Sequence, residues 1–337
     1  MRIRGGALVA VAGLVLTSLT LPHGVAKAAS SSCDRTCLEG FVDQYLDAML
    51  AHDPKRAPFA PDAKLTENGQ RLELGDGLWR TLTAKGTYRM FVPDVQAGHI
   101  SFLGSIKEAD TPAMLALHLR IRKGQISAVE TLVQRNETSA LGFEEIGYTW
   151  RDSLSAGERM SREELMKTAN LYFSGMEQND GKGVYPFTDN CNRIENGTFT
   201  TNTPTPPGQP RPDPKTAANY SSQWSCREQF ESGLLHFVSR IRDRRFVSVD
   251  PQRGLVFSYI FFDHMAGEAR TFQTPDGRTV AAGPRQPWTW EVAEAFRIEH
   301  GKIHQIVAIM ERVPYGMDSG WSNWEEGMSS EGRNATH

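Results

Sequence analysis

The sequence predicts an α+β protein built as a tandem of two related units, each with N-terminal helices packed on a mostly antiparallel sheet. Three observations predict it. Two amphipathic helical stretches recur, "CLEGFVDQYLDAMLAHD" from Cys33 and "SREELMKTANLYFSGMEQND" from Ser161. Each is followed by a short extended run ending in Glu-Asn-Gly, "PFAPDAKLTENG" and "PFTDNCNRIENG". Each copy then ends in matching hairpins, "LHLRIRKGQISAVETLVQR" and "EAFRIEHGKIHQIVAIMER", with Gly124 facing Gly301 and Arg135 facing Arg312. A repeated order of helix, then strands, is the pattern of an α+β tandem.

Taken in chain order, the basic start (Arg2, Arg4), the apolar stretch and the small-residue end at Ala26-Lys27-Ala28 predict a secretory signal peptide over 1–28. No other stretch is long and apolar enough to cross a membrane, so the expected location is secreted or periplasmic. The first unit spans 33–137. Its helix places Leu38, Phe41, Val42, Tyr45, Leu46 and Met49 at helical spacing. A linker is expected at 138–160. The second unit, 161–313, opens with a capping box, Ser161 and Glu164, and its helix carries Leu165, Ala169, Tyr172, Phe173 and Met176. Its Pro/Thr-rich stretch, 198–225, is an insertion that the first unit lacks. After Pro314 a polar tail, 314–337, is expected to lie over the surface. Asn68-Gly69 and Asn196-Gly197 are hairpin-turn pairs, because both residue types accept positive φ.

The four cysteines, in a chain expected to be exported, predict two disulfides. Of the three possible pairings, Cys33–Cys37 with Cys191–Cys226 is preferred, although a bridge between residues four apart is awkward inside a regular helix. The sequence has no Cys-x-x-Cys and no tight His cluster, so no metal site is expected; His300 and His304 are taken as surface histidines. No Gly-rich phosphate loop is present, and no cofactor is expected. A formal net charge of −3 with interspersed signs gives no nucleic-acid surface. The expected partner is a small-molecule ligand or substrate, for a monomer or homodimer.

Glu294 is the most informative residue. In "VAEAFRI" it shares a strand face with Val292, Phe296 and Ile298, whereas the matching face of the first unit is Leu115, Leu117, Leu119 and Ile121. A carboxyl group on an apolar face loses hydration, which raises its pKa and suits it to donate a hydrogen bond or act as a general acid. The structural alternative is a salt-bridged core carboxylate. Tyr172 and its counterpart Tyr45 occupy apolar helix faces, where a purely packing role is the alternative. Glu195 shares its face with Arg193, Thr198 and Thr200; Arg193 would keep it ionised if that face lines a cavity. Asp263 and His264 end an aromatic strand, and adjacent strand residues point to opposite faces. Tyr259 and Trp290 are candidates for an aromatic lining.

These segments resemble the nuclear transport factor 2-like superfamily, the cone-shaped α+β fold shared by ketosteroid isomerase, scytalone dehydratase and SnoaL-type cyclases. The resemblance rests on "QYLDAMLAHDPKRAPFAPDAKLTENG", its echo in the second unit, and the hairpin "FRIEHGKI". The whole tandem is also similar to a group of secreted microbial and fungal proteins. The resemblance implies two cone-shaped domains. It places an oxyanion-binding tyrosine on Tyr45 and Tyr172 and a proton-shuttling carboxylate on Glu67 and Glu195. A strand acid falls on Glu294 in the second unit only, where the first has Leu117. The expected activity is a cofactor-independent lyase or isomerase in the second unit. Glu195 would be the base, Glu294 and Tyr172 would hold the developing charge, and Arg193, Tyr259, Asp263, His264 and Trp290 would contact substrate. The alternatives are a secreted module that holds a hydrophobic or aromatic ligand without turnover, or a structural assembly protein.

Overall fold

The structure is a computed structural model that describes Met1 and residues 33–146, 150–266 and 271–335. Apart from Met1, the leader expected at 1–28, with its cleavage after Ala28, lies outside the described residues. The first helix, α1, is Arg35–Leu50. Asp34 caps it by accepting a hydrogen bond from Cys37 N at 2.9 Å. Cys33 therefore precedes the cap, and the Cys33–Cys37 bridge joins the first turn to the residue outside it. This placement removes the difficulty of a bridge within a regular helix. The strands β1 (Phe59–Glu67), β2 (Gln70–Leu72), β3 (Leu82–Asp94), β4 (His99–Glu108), β5 (Thr111–Arg122) and β6 (Gln125–Gln134) follow. They form one sheet in the order β2-β1-β6-β5-β4-β3, antiparallel except where β1 runs parallel to β6. One face packs on α1 through Leu38, Val42, Leu46, Leu115, Leu117 and Leu119.

The segment expected to be a linker contains a helix, α2 (Glu137–Ile146), whose Ala140 and Phe143 are buried. The second repeat begins with α3 (Arg162–Gln178), capped by the expected box of Ser161 and Glu164. Strands β7 (Phe187–Glu195) and β8 (Thr198–Phe199) come next. The inserted loop then returns to a short helix, α4 (Cys226–Glu231), tied to β7 by the Cys191–Cys226 disulfide. The remaining strands are β9 (Arg240–Asp250), β10 (Leu255–His264), β11 (Thr271–Gln273), β12 (Thr279–Ala281), β13 (Trp288–Glu299) and β14 (Lys302–Val313). The tail adds α5 (Trp324–Gly327) and β15 (Gly332–Asn334). The tail also extends the sheet at its edge: β15 pairs with β9, and the second sheet runs β15-β9-β10-β13-β14-β7-β8. Here β7 is parallel to β14, as β1 is to β6. Among the described residues, no helix is long and apolar enough to cross a membrane.

The two Asn-Gly pairs explain how each repeat closes. Asn68 and Asn196 have φ of 46° and 47°, and the glycines after them are also positive, as a tight hairpin turn requires. Each asparagine side chain also clasps the last strand of its own repeat. Asn68 donates to Val133 O and accepts from Val133 N; Asn196 does the same with Met310. The turn thus fixes the parallel register between the first and last strands. The faces of the two sheets turned away from α1 and α3 pack on each other. Met90, Leu103, Met114 and Leu132 meet Leu255, Phe257, Ala293 and Ile309, with Phe143 of α2 among them.

Candidate functional site

Three neighbouring strands of the second sheet bring the two glutamates together. Glu294 on β13 pairs with Ala308 on β14, and Ala308 pairs with Glu195 at the end of β7. Laterally paired residues point to the same face, so the carboxylates stand two strands apart, about 10 Å between Cα atoms. The residue between them on that face is the small, buried Ala308. Arg193, two residues before Glu195, shares that face. Its Nε lies 3.2 Å from Glu195 Oε1, and its Nη2 donates to Gln229 Oε1 of α4 at 2.6 Å. Tyr172 of α3 covers the same region, its ring 5.4 Å from Phe296 and 5.3 Å from Phe230.

The electrostatics follow from this burial. Glu294 is 1 % exposed. Burial pushes its carboxyl up from 4.5 to about 8, the Glu195 charge adds to the rise, and Arg193 opposes it. Burial, then Glu294, also raise the Tyr172 hydroxyl well above its ordinary value. Burial works against the charged form of Arg193, but Glu195 and Tyr172 hold its guanidinium above its usual value. Glu294 Oε2, the Tyr172 hydroxyl and Arg193 Nη1 are all buried, and although Tyr172 lies close enough to interact with both Glu294 and Arg193, none of the three atoms makes a well-formed hydrogen bond. Three unsatisfied polar atoms in one place are costly, on the order of 1–3 kcal/mol each. Native structures contain few such groups, and each calls for an explanation.

The other residues expected here lie elsewhere. Asp263 accepts from Arg240 Nε at 2.8 Å, Arg242 Nε at 2.9 Å and the Thr289 hydroxyl at 2.7 Å. It is held in an ionic cluster on the face opposite Glu294, and the structure does not bring it to that site. His264 faces the opposite way, stacked on Trp288 at 3.9 Å and edge-on to Trp290 at 4.7 Å. Burial holds its imidazole down at about 4, and its Nδ1 donates to Phe262 O at 3.0 Å. Trp290 shares the Glu294 face but is separated from it by Val292. Tyr259 belongs to the opposite face with Ala293, and its hydroxyl donates to Glu130 O at 3.2 Å between the two sheets. It therefore contributes nothing to the Glu294 site.

Gln229, Phe230 and Ala308 complete the site and were not anticipated. Ala308 was available from the repeat itself, since the matched hairpins set it against Thr131. Gln229 and Phe230 reach the site because the insertion returns to β7, held by the disulfide and by Gln229 hydrogen bonds to Thr200 O and Ser221 O, which no local pattern announces. Among the described residues, no group of three or more His, Cys, Asp or Glu could hold a metal ion.

A search of curated proteins finds no match. Among solved structures, a de novo designed protein with a curved β-sheet matches with 18 % identity and a TM-score of 0.24. The match covers 45 % of this chain and 88 % of that one, and a likeness this low carries no argument. A family model matches twice, over residues 31–133 and 158–310, in step with the duplicated helix, turn and hairpin pattern. The chain belongs to the family described as a domain of unknown function, DUF8021, and carries two copies of that domain.

Proposed function

We propose that the second repeat is a proton-transfer site acting on a small, largely apolar carbonyl compound, as a cofactor-independent isomerase or lyase. The observation that carries this reading is that Glu294, Tyr172 and Arg193 are buried beside one another and beside Glu195, with Glu294 Oε2, the Tyr172 hydroxyl and Arg193 Nη1 lacking a well-formed hydrogen bond. Glu195 would take a proton from the carbon beside the carbonyl. The C–H electron pair would become the new C=C bond, and the carbonyl π electrons would move to oxygen. Glu294 in its neutral form and Tyr172 would donate hydrogen bonds to that oxygen, the service rendered by an oxyanion hole. Return of the proton to another carbon completes an isomerisation; loss of hydroxide as water, with a proton from Glu294, completes a dehydration. The resemblance to the nuclear transport factor 2-like superfamily supports the same roles and a cone-shaped form for each repeat. The two disulfides are compatible with an extracellular or periplasmic setting.

One observation favours a second reading. Glu294 and Tyr172 are each 1 % exposed, roofed by Gln229 and Phe230, so the site suits a ligand held without turnover. Deuterium uptake separates the two. Cyclic ketones and enones incubated with the protein in D2O should gain deuterium beside the carbonyl, observed by NMR. The uptake should vanish in Glu294→Gln and Glu195→Gln and persist in Glu67→Gln. Saturable binding without uptake would leave the binding module standing; uptake unaffected by Glu294→Gln would sink the assignment.

A further inference from the structure

A polar cavity lies between the two sheets, on the side of β13 away from Glu294. Its volume is about 310 Å³, at the lower end for small-molecule sites. It is walled by His99, His118, Arg120 and Glu130 of the first repeat, Arg245 of the second and Trp321 of the tail.

The two imidazoles fix each other's protons. His99 Nδ1 lies 3.0 Å from His118 Nε2 and 3.3 Å from Val247 O. A carbonyl can only accept, so His99 Nδ1 carries the hydrogen and His118 Nε2 is an acceptor. Burial holds both rings neutral, His99 down at about 4 and His118 well below its ordinary value. A neutral His118 then has its hydrogen on Nδ1. One imidazole lone pair, His99 Nε2, and one imidazole N–H, His118 Nδ1, remain without partners among the described residues.

The ionic groups around them are largely compensated. Arg245 holds Glu130 through two hydrogen bonds of 2.7 Å, and Arg333 pairs with Asp243 at 2.5 Å and Glu326 at 3.3 Å. Arg120 differs, since its side chain makes a single hydrogen bond, to Ser127 Oγ at 3.2 Å. Trp321 adds a flat wall; its Nε1 donates to Thr66 Oγ1 at 2.8 Å, and the Lys64 ammonium lies 4.1 Å from the ring centroid.

We propose that this inter-repeat cavity binds a neutral polyhydroxylated molecule of the sugar class. Vicinal hydroxyls both donate and accept, which matches a free acceptor, a free donor and an under-used guanidinium around an indole face. Glu130 and the Asp243–Glu326 pair offset the charges of Arg245 and Arg333, so the walls offer an anion little beyond Arg120, and an apolar guest would strand the ring nitrogens.

Tryptophan fluorescence of the full chain, titrated with glucose, galactose, N-acetylglucosamine and mannitol, tests this. Inorganic phosphate and citrate serve as anionic controls. At least one polyol should give a saturable change that Trp321→Phe removes, and His118→Phe should weaken its affinity about tenfold or more. Glu294→Gln should bind it as wild type does, because that residue lies on the other face of the sheet. If His118→Phe fails to fold, Arg120→Ala carries the same expectation. Saturation by phosphate or citrate alone, no saturable change with any polyol, or a polyol response indifferent to both substitutions would overturn the proposal.

Discussion

The two repeats share a scaffold and differ where chemistry would be done. In the first, Tyr45 accepts a hydrogen bond from Trp79 Nε1 at 3.1 Å, Leu117 fills the position of Glu294, and Glu67 is taken up by Leu78 N and Arg135. Thr131 stands where the second repeat has Ala308, and its hydroxyl donates to Thr66 O. Tyr45, Glu67 and Thr131 thus each have a hydrogen-bond partner, as a stable core favours. In the second repeat the Tyr172 hydroxyl and Glu294 Oε2 are buried without a well-formed hydrogen bond, beside a disulfide-tied insertion. Of the two copies of the domain, one satisfies these positions and the other keeps buried polar groups that a fold alone would not favour.

The largest effect expected from exchanging these features is Leu117→Glu, which puts a second unpartnered carboxyl into an apolar core. It should cost on the order of 4 kcal/mol in urea unfolding. A cost below about 1 kcal/mol would mean that the first repeat tolerates the acid and that the comparison fails. The disulfides should also differ. In the chain-entropy picture, loss of Cys191–Cys226, with a sequence separation of 35, costs about 4 kcal/mol. Loss of Cys33–Cys37, with a separation of 4, costs about 2 kcal/mol. Paired Cys→Ala variants measured by denaturant unfolding would show equal losses if the insertion were not held by its bridge.

The pH dependence of Glu294→Gln sharpens the comparison further. The Glu294 pKa is raised on folding from 4.5 to about 8, so the folded protein binds a proton that the unfolded chain releases. Wild-type stability therefore falls as pH rises through that window, by at most about 1.4 kcal/mol per unit from this group. The glutamine variant lacks this loss, so its advantage should grow from about pH 5 to about pH 8. Glu291, also raised to about 8 by burial, contributes the same slope to both proteins and cancels in the difference. A flat difference would mean that Glu294 is satisfied in solution. The smallest expected contrast is between the tyrosines. Tyr45→Phe strands the Trp79 indole N–H at a cost of about 1–2 kcal/mol, whereas Tyr172→Phe should be neutral or slightly stabilising. Thermal melts of the two variants check this, and equal shifts would remove the contrast.

Much of the fold was legible because its signals are local. Helical spacing and the Ser161–Glu164 box located α3, and positive-φ chemistry located both Asn-Gly turns. Glu294 was legible because period-two alternation set it against Leu117. What escaped depends on distant partners. The helix α2 is only ten residues long, and its apolar face is made clear only by the sheets it touches. The three-residue β15 exists because β9 offers an edge. Tyr259 was assigned to the pocket because alternation tells which residues share a face but not what that face meets. In this chain the opposite face meets the other repeat.

The parallel closure of each repeat by its own first and last strands has a consequence for synthesis. The first repeat can complete its sheet once β6 has left the ribosome, but the second stays open until β14 follows, and its edge waits for β15. The finished apolar first repeat would then offer its outer sheet face as a template while the second, with its uncompensated carboxyl, is still being made. The copy that performs no proposed chemistry would thus serve the other as a covalently attached folding partner, present at high effective concentration from the moment the second helix emerges.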